Sequence, residues 1–411
     1  MSNQMDIYTG TGGMYIYSPF LAFIFQPLAV LPERAAANVW LVLSATIIVA
    51  GSIIAARKVS ESWRLSPKKN DSSVSWVISA TALLLSCAKI RSDFYLGQTD
   101  CLIIIGLAGV LWWMDRQPLL AGLAAGATAN VKYLALIFVP YFLIKRNYRA
   151  AIAAIVSFLF FFALPVVEVG LRSIKIYAIN ATAVLTKVVG GTELMNLAAA
   201  GRSQKPVVNS AAWSNSVSLT SSVVRFTRSH EISDFIAVTL IVVLFAAVIT
   251  SIVLIGRQSG VDLLKPTTAR TTSKHGDAAS IEWAALIVLA LVFSPQTTSR
   301  HMIMLILVYT VGMGIFFAQR RTSLRILLIV LMVATALALS LPFRETGFHP
   351  WLITLKSMGV ASWCALLLIL LMAWVGNRAI SEPATTAEPT GSGTPAAAGS
   401  SDDFLYPKRK N

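Results

Sequence analysis

In this chain of 411 residues, 56% are hydrophobic and only 13% are charged, against a charged share of about 25% in soluble domains, so it belongs in a membrane. Mean hydropathy is +0.69, and the apolar residues come in long runs rather than short alternating segments, which excludes a membrane β-barrel and predicts an all-α, polytopic helix bundle. The formal charge of +15 would suggest nucleic acid in a soluble chain, but in a membrane protein it is first a sign of which loops face the cytoplasm.

No signal peptide is expected. The first 13 residues lack a basic n-region, and no small-residue cleavage site follows "YIYSPFLAFIFQPLAVLP" (15–32). That stretch reads as an amphipathic or re-entrant helix broken by Pro19 and Pro27, within an outer-face N-terminal segment 1–34. A polytopic domain follows over 35–376, with eleven membrane helices or half-helices near 35–57, 74–89, 101–114, 118–131, 133–145, 150–168, 236–256, 281–296, 301–319, 323–342 and 352–376. The segments 101–114, 118–131 and 133–145 fall short of the ~20 residues of a straight span. Residues 58–72 and 257–280 read as polar inner loops, 169–235 as a large extracytoplasmic loop, and 377–411 as a disordered cytoplasmic tail rich in Pro, Ala, Ser, Thr and Gly. There is no repeat of 20–50 residues and no inverted hydropathy symmetry.

With the N-terminus outside and the C-terminus inside, the inner loops and tail collect 20 of the 34 Lys and Arg, as the positive-inside rule requires. The outer loop 169–235 nevertheless carries Arg172, Lys175, Lys187, Arg202, Lys205, Arg225 and Arg228. Such a loop is either solvated surface or a place for phosphate groups. Cys87, Cys101 and Cys364 lie in or beside apolar runs with no metal-ligand spacing and read as free packing residues.

Polar islands recur at the predicted outer helix ends. They are "MDIYTGTGGMYIYSPF" (5–20), "KIRSDFYLGQTD" (89–100), "NVKY" (130–133), "WSNSVSLTSSVVRF" (213–226), "SPQTTSRH" (294–301) and "FRETGFHPW" (343–351). Lys132 interrupts an otherwise apolar pair of helices with no acid near it in sequence. It is either a functional cation or a side chain snorkelling to the interface. Asp93 and Asp100 flank Gly97-Gln98. They are either functional carboxylates or a helix cap or a salt bridge to Lys89 or Arg91. Asp6 is a third acid on this face or a plain solvated residue of the N-terminal segment, and His301 beside Arg300 is either a contact for an anion or a polar helix start.

The run "LGQTDCLIIIGLAGVLWWMDRQPLLAGLAAGATANVKYLALIFVPYFLIKRNYRAA" resembles glycosyltransferase family 87. Members read Gly-Gln-Val-Asn, an apolar helix, a basic turn, Leu-Ala-Gly, a helix ending in Lys, then a Pro-containing helix and a basic cluster. Here these are Gly97-Gln98, Arg116, Leu120-Ala121-Gly122, Lys132, Pro140 and Lys145-Arg146. Three further matches keep the family order. "YIYSPFLAFIFQPLAVLP" resembles its Tyr-Pro-Pro-Leu helix, "NSVSL" (215–219) its Asn-Gln-Ser-Leu motif, and "FSPQTTSRHMIML" its Ser-Pro-x-x-Trp-x-x-His segment.

The resemblance implies a C-type glycosyltransferase fold in the cell membrane, of the kind found in the bacterial inner membrane. It also implies transfer of a hexose, usually mannose, from a polyprenyl monophosphate to an acceptor hydroxyl on a glycolipid or glycan outside the cytoplasm, with inversion. No cofactor or metal is expected and no nucleic-acid partner; the lipid-linked sugar is the donor substrate. The implied substrate-binding residues are Gln98, Lys132, Asn215, Arg300 and His301. The candidate bases are Asp6, Asp93 and Asp100, because the family's first helix and the Asp after it are expected to be missing here. Two further departures are Asp100 where Asn is usual and Ser18 in place of the first Pro. An inactive homologue serving as a scaffold, and a transporter, are the rival readings.

Overall fold

The computed structural model describes residues 17–65, 72–168, 170–171, 212, 216–258, 275–295, 297–340 and 350–381. Asp6, Asn215, most of loop 169–235 and the tail from 382 onward lie outside the described residues. Among the described residues every regular element is helical.

The chain starts with α1 (Pro19–Ala29) and α2 (Glu33–Ser62), then α3 (Ser73–Leu85) and α4 (Cys87–Tyr95). Next come α5 (Asp100–Trp113), α6 (Pro118–Val131), a 3-10 turn Tyr133–Ile137, α7 (Phe138–Ile144) and α8 (Tyr148–Ala163). The second half holds α9 (Leu219–Ser229), α10 (Asp234–Gln258), α11 (His275–Phe293) and a 3-10 turn His301–Met304. It closes with α12 (Leu305–Ala318), α13 (Thr322–Ser340), α14 (Pro350–Ser357) and α15 (Val360–Ser381).

Six of these segments are long and apolar enough to cross a membrane: Glu33–Ser62, Tyr148–Glu168, Asp234–Gln258, His301–Ala318, Thr322–Ser340 and Val360–Ile380. Helices α3 and α4, bent by 64° at Ser86, make a seventh if counted together. The eleven expected segments thus resolve into six spans, one bent pair and four short helices. At 14 residues each, α5 and α6 are about 21 Å long against a ~30 Å hydrocarbon core.

Two expectations need correction. Pro19 does not break the first helix but starts it, at a position where its missing N–H costs nothing, and Pro27 sits inside α1 without ending it. The stretch after Lys89 is not a loop. Beyond the bend the chain is helical again to Tyr95, and only Leu96–Thr99 separates α4 from α5.

Backbone approach fixes the central packing. A Cβ at Gly122 would lie 2.2 Å from the Ala150 carbonyl oxygen, and one at Gly126 would lie 2.3 Å from that of Ala154. Small residues let α6 press against α8 in this way, a common device between membrane helices. The Trp283 indole donates to the Leu107 carbonyl at 3.1 Å, tying α11 to α5. At the helix ends remote from Asp100, Lys58 pairs with Asp115 at 2.8 Å and Lys145 with Glu282 at 2.6 Å.

Gly126→Val is expected to lower thermal stability in detergent by about 1–3 kcal/mol, the usual range for overpacking, because backbone must move. Gly109→Ala should cost less, since its Cβ would meet the Trp113 ring at 2.9 Å and a side chain can yield.

Candidate active site

Helix α4 carries Lys89 and Asp93 one turn apart, so both side chains lie on one face. That face is buried, while Arg91 and Tyr95 on the other are exposed. The helix closes in a turn of definite chemistry. The Gln98 N–H donates to the Asp93 carbonyl at 3.1 Å, and the Gly97 N–H to that of Phe94 at 3.2 Å. Gly97 has φ +58°, the left-handed conformation that glycine adopts without a steric penalty. This turn delivers Asp100 as the first residue of α5, where the helix dipole favours a carboxylate.

Lys132 caps the C-terminal end of α6 in an extended conformation, and its Nζ donates to Asp100 Oδ1. Asp100 is fully buried and the Lys132 side chain nearly so, at 12% exposed. Lys132, which has no acid near it in sequence, thus has an acidic partner in space. The partner lies 32 residues back, across a helix–helix contact that sequence spacing does not show. The salt bridges considered for Asp93 and Asp100 are also corrected: Lys89 donates to Ser299 Oγ at 2.6 Å instead, and Arg91 faces outward.

Asp93 is 1% exposed, and its two carboxyl oxygens and Oδ2 of Asp100 have no hydrogen-bond donor among the described residues. The two carboxyls act on each other electrostatically, and as carboxylates they offer each other only acceptors.

The third part of the site is the segment Pro295–His301. Ser216 forms an antiparallel bridge with Thr298, and its hydroxyl donates to the Thr297 carbonyl at 2.9 Å. Ser221 Oγ donates to the Pro295 carbonyl at 3.0 Å. Two serine-rich motifs far apart in sequence are thus stitched together, and they hold Ser299, Arg300 and His301 against α4 and α5. His301 Nδ1 accepts the Thr298 N–H at 3.1 Å. In the neutral ring the proton therefore sits on Nε2, and His301 serves as a donor rather than a base. Asp100 and Lys132 act electrostatically on His301, and Arg300 acts on Asp93.

The N-terminal segment closes the group. Tyr17 Oη donates to Gln98 Oε1 at 3.0 Å, and Ser18 Oγ donates to the Asn130 carbonyl. Asn130 Nδ2 in turn donates to Phe158 O at 3.0 Å and Gly126 O at 3.1 Å, so the packing of α6 on α8 sets where Lys132 stands.

Of the predicted residues, Asp93, Gln98, Asp100, Lys132, Arg300 and His301 are brought to one end of the bundle. Asp6 and Asn215 are not among the described residues, although Ser216 beside Asn215 belongs to the stitched loop. Sequence reading passed over Lys89 and Ser299 as site groups. Their only signal was position: Lys89 one turn before Asp93, and Ser299 just before Arg300-His301. No group of three or more His, Cys, Asp or Glu suited to a metal occurs among the described residues.

Buried carboxyls beside several cations, at one end of a membrane helix bundle, are what a transferase needs to take up a proton next to a departing anion. The profile of glycosyltransferase family 87 matches residues 15–265, more than half of the chain. The protein belongs to that family. The polyprenol-phosphate-mannose-dependent alpha-(1-2)-phosphatidylinositol mannoside mannosyltransferase of Mycobacterium tuberculosis (strain ATCC 25618 / H37Rv) is 29% identical over 149 residues, 35% of this chain. The match spans 34% of that relative's length. No solved structure gives a significant match.

Proposed function

We propose that this protein moves a hexose, mannose in the first instance, from a polyprenyl monophosphate to a hydroxyl of an acceptor glycolipid on the extracytoplasmic face, with inversion. The observation that carries this reading is Asp93, a buried carboxyl without a donor, set beside the Asp100–Lys132 pair and within the field of Arg300. The acceptor oxygen attacks the anomeric carbon, the bond from that carbon to the phosphate oxygen breaks, and the electron pair leaves with the lipid phosphate. The acceptor proton passes to Asp93, held in place by the α4 turn. One displacement gives inversion. Lys132 keeps Asp100 ionised beside it, and His301 offers an Nε2 proton to a polar group of the substrates.

The donor named for the mycobacterial relative supports the choice of polyprenyl phosphate. Sidedness is supported by the helix ends remote from the site, where the predicted inner residues Lys58, Arg116 and Lys145 gather. Purified protein in proteoliposomes should transfer labelled mannose from polyprenyl-phosphate mannose without nucleotide sugar. In oriented vesicles, a membrane-impermeant acceptor should react only from the extracytoplasmic side. A strict requirement for a nucleotide sugar, or reaction from the cytoplasmic side alone, overturns this reading.

A further inference from the structure

Two neighbouring residues, Tyr17 and Ser18, reach both arms of the site at once. Tyr17 Oη holds Gln98, in the turn that delivers Asp100, and Ser18 Oγ holds the carbonyl of Asn130, just before Lys132. Ser18 is the N-cap residue of α1 and is 1% exposed. A serine in that place ordinarily turns its hydroxyl back to the first amides of its own helix. Here no side-chain cap bond forms, and the hydroxyl reaches a residue 112 positions away instead.

The carbonyl that it reaches lies in the last turn of α6, where carbonyls have no amide of their own helix to accept from. What holds such a carbonyl sets the direction in which the chain leaves the helix. Lys132 leaves it at once, in an extended conformation with φ −147° and ψ 132°. On the other arm, the Gln98 N–H donates to the Asp93 carbonyl at 3.1 Å, and Gln98 Nε2 donates to the Leu96 carbonyl at 3.3 Å. A hold on the Gln98 side chain is therefore a hold on the end of the helix that carries Asp93. Between the two arms stands the buried Asp100–Lys132 pair. The attraction of two charges falls with their separation, and most steeply where water is excluded.

We infer that Tyr17 and Ser18 are positioning residues: they form a strap that holds the turn bearing Asp100 to the helix end bearing Lys132, and so set the ion pair beside Asp93. What this implies for the rate of transfer rests on the function proposed above.

The strap is tested on the strength of the pair, apart from turnover. Unfolding free energies of the full chain in detergent, for wild type, Asp100→Asn, Lys132→Met and the two combined, give the coupling between the two charges. The same four measurements are repeated with Tyr17→Phe, with Ser18→Ala and with both, each of which removes a hydroxyl and keeps the rest of the side chain. The coupling should fall in each single background and fall furthest in the double one. A merely structural role would lower the stability of all four members alike and leave the coupling as it is in the wild type. In transfer assays the strap variants should lose about 10- to 100-fold in kcat, the effect of a small misplacement. KM should stay unchanged, because the loss is confined to the transition state.

An undiminished coupling in both single variants overturns the strap, whatever happens to the rate, since Tyr17 would then act on a substrate or elsewhere. A reduced coupling with wild-type kcat overturns the positioning role. If the wild-type protein transfers no sugar, the proposed function fails instead, and the coupling alone still decides whether Tyr17 and Ser18 set the pair.

Discussion

Lys132→Met is expected to destabilise the protein by about 3–5 kcal/mol, the usual consequence of removing one partner from a buried ion pair. Methionine keeps the apolar stem and removes only the charge, so the loss reports on Asp100, which would be left fully buried with an uncompensated carboxylate next to Asp93. Adding Asp100→Asn to Lys132→Met should restore most of the stability, because a neutral amide needs no counter-charge. Unfolding in detergent followed by intrinsic fluorescence, across the four members of this cycle, measures the coupling. A single variant as stable as the wild type would mean that the pair contributes nothing to the fold. Activity of the double variant carries separate information. Recovered transfer makes Lys132 a positioning residue, whereas a stable and inactive double variant places Lys132 on the donor itself.

Asp93→Asn should reduce transfer by roughly 10²–10⁴-fold, the range for loss of a general base, with no loss of stability. The stability half of that expectation is unusual for a buried residue. Both carboxyl oxygens lack a donor among the described residues, and an amide is cheaper to bury than a carboxylate. Asp6→Asn separates the competing assignment: if the large loss appears there and Asp93→Asn keeps its activity, the base is the N-terminal acid and the mechanism given above is wrong. Steady-state transfer rates, set beside unfolding temperatures for each variant, decide between them.

The helices were legible because hydropathy is a local property: every expected segment overlaps a helix, although 352–376 is broken between Ser357 and Val360. The same locality explains the misses. Helix α4 was read as a polar loop because Lys89, Arg91, Ser92 and Asp93 depress any hydropathy window, although Lys89 and Asp93 both turn into the protein. The Asp100–Lys132 pair joins the start of α5 to the end of α6, and no spacing rule reaches across an antiparallel hairpin of that length. Gln98 and Gly97 were visible as a motif, and the backbone gives the reason for the glycine: the turn requires φ +58°. His301 was found by resemblance, but its tautomer depends on the Thr298 amide and could only come from coordinates.

The bend at Ser86 makes the site sensitive to chain length in a way that single substitutions do not reveal. Continued straight, the 23 residues from Ser73 to Tyr95 would measure about 34 Å, slightly more than the ~30 Å hydrocarbon core. The turn of 64° instead sets the last nine residues against the 3-10 turn that begins at His301. Each residue added or removed between the bend and Asp93 rotates that face by about 100°. One residue inserted before Lys89 would put Ala88 and Ser92 in the places of Lys89 and Asp93, while leaving composition and hydropathy almost unchanged. The number of residues between the bend and Asp93 therefore decides which side chains this helix turns toward the site.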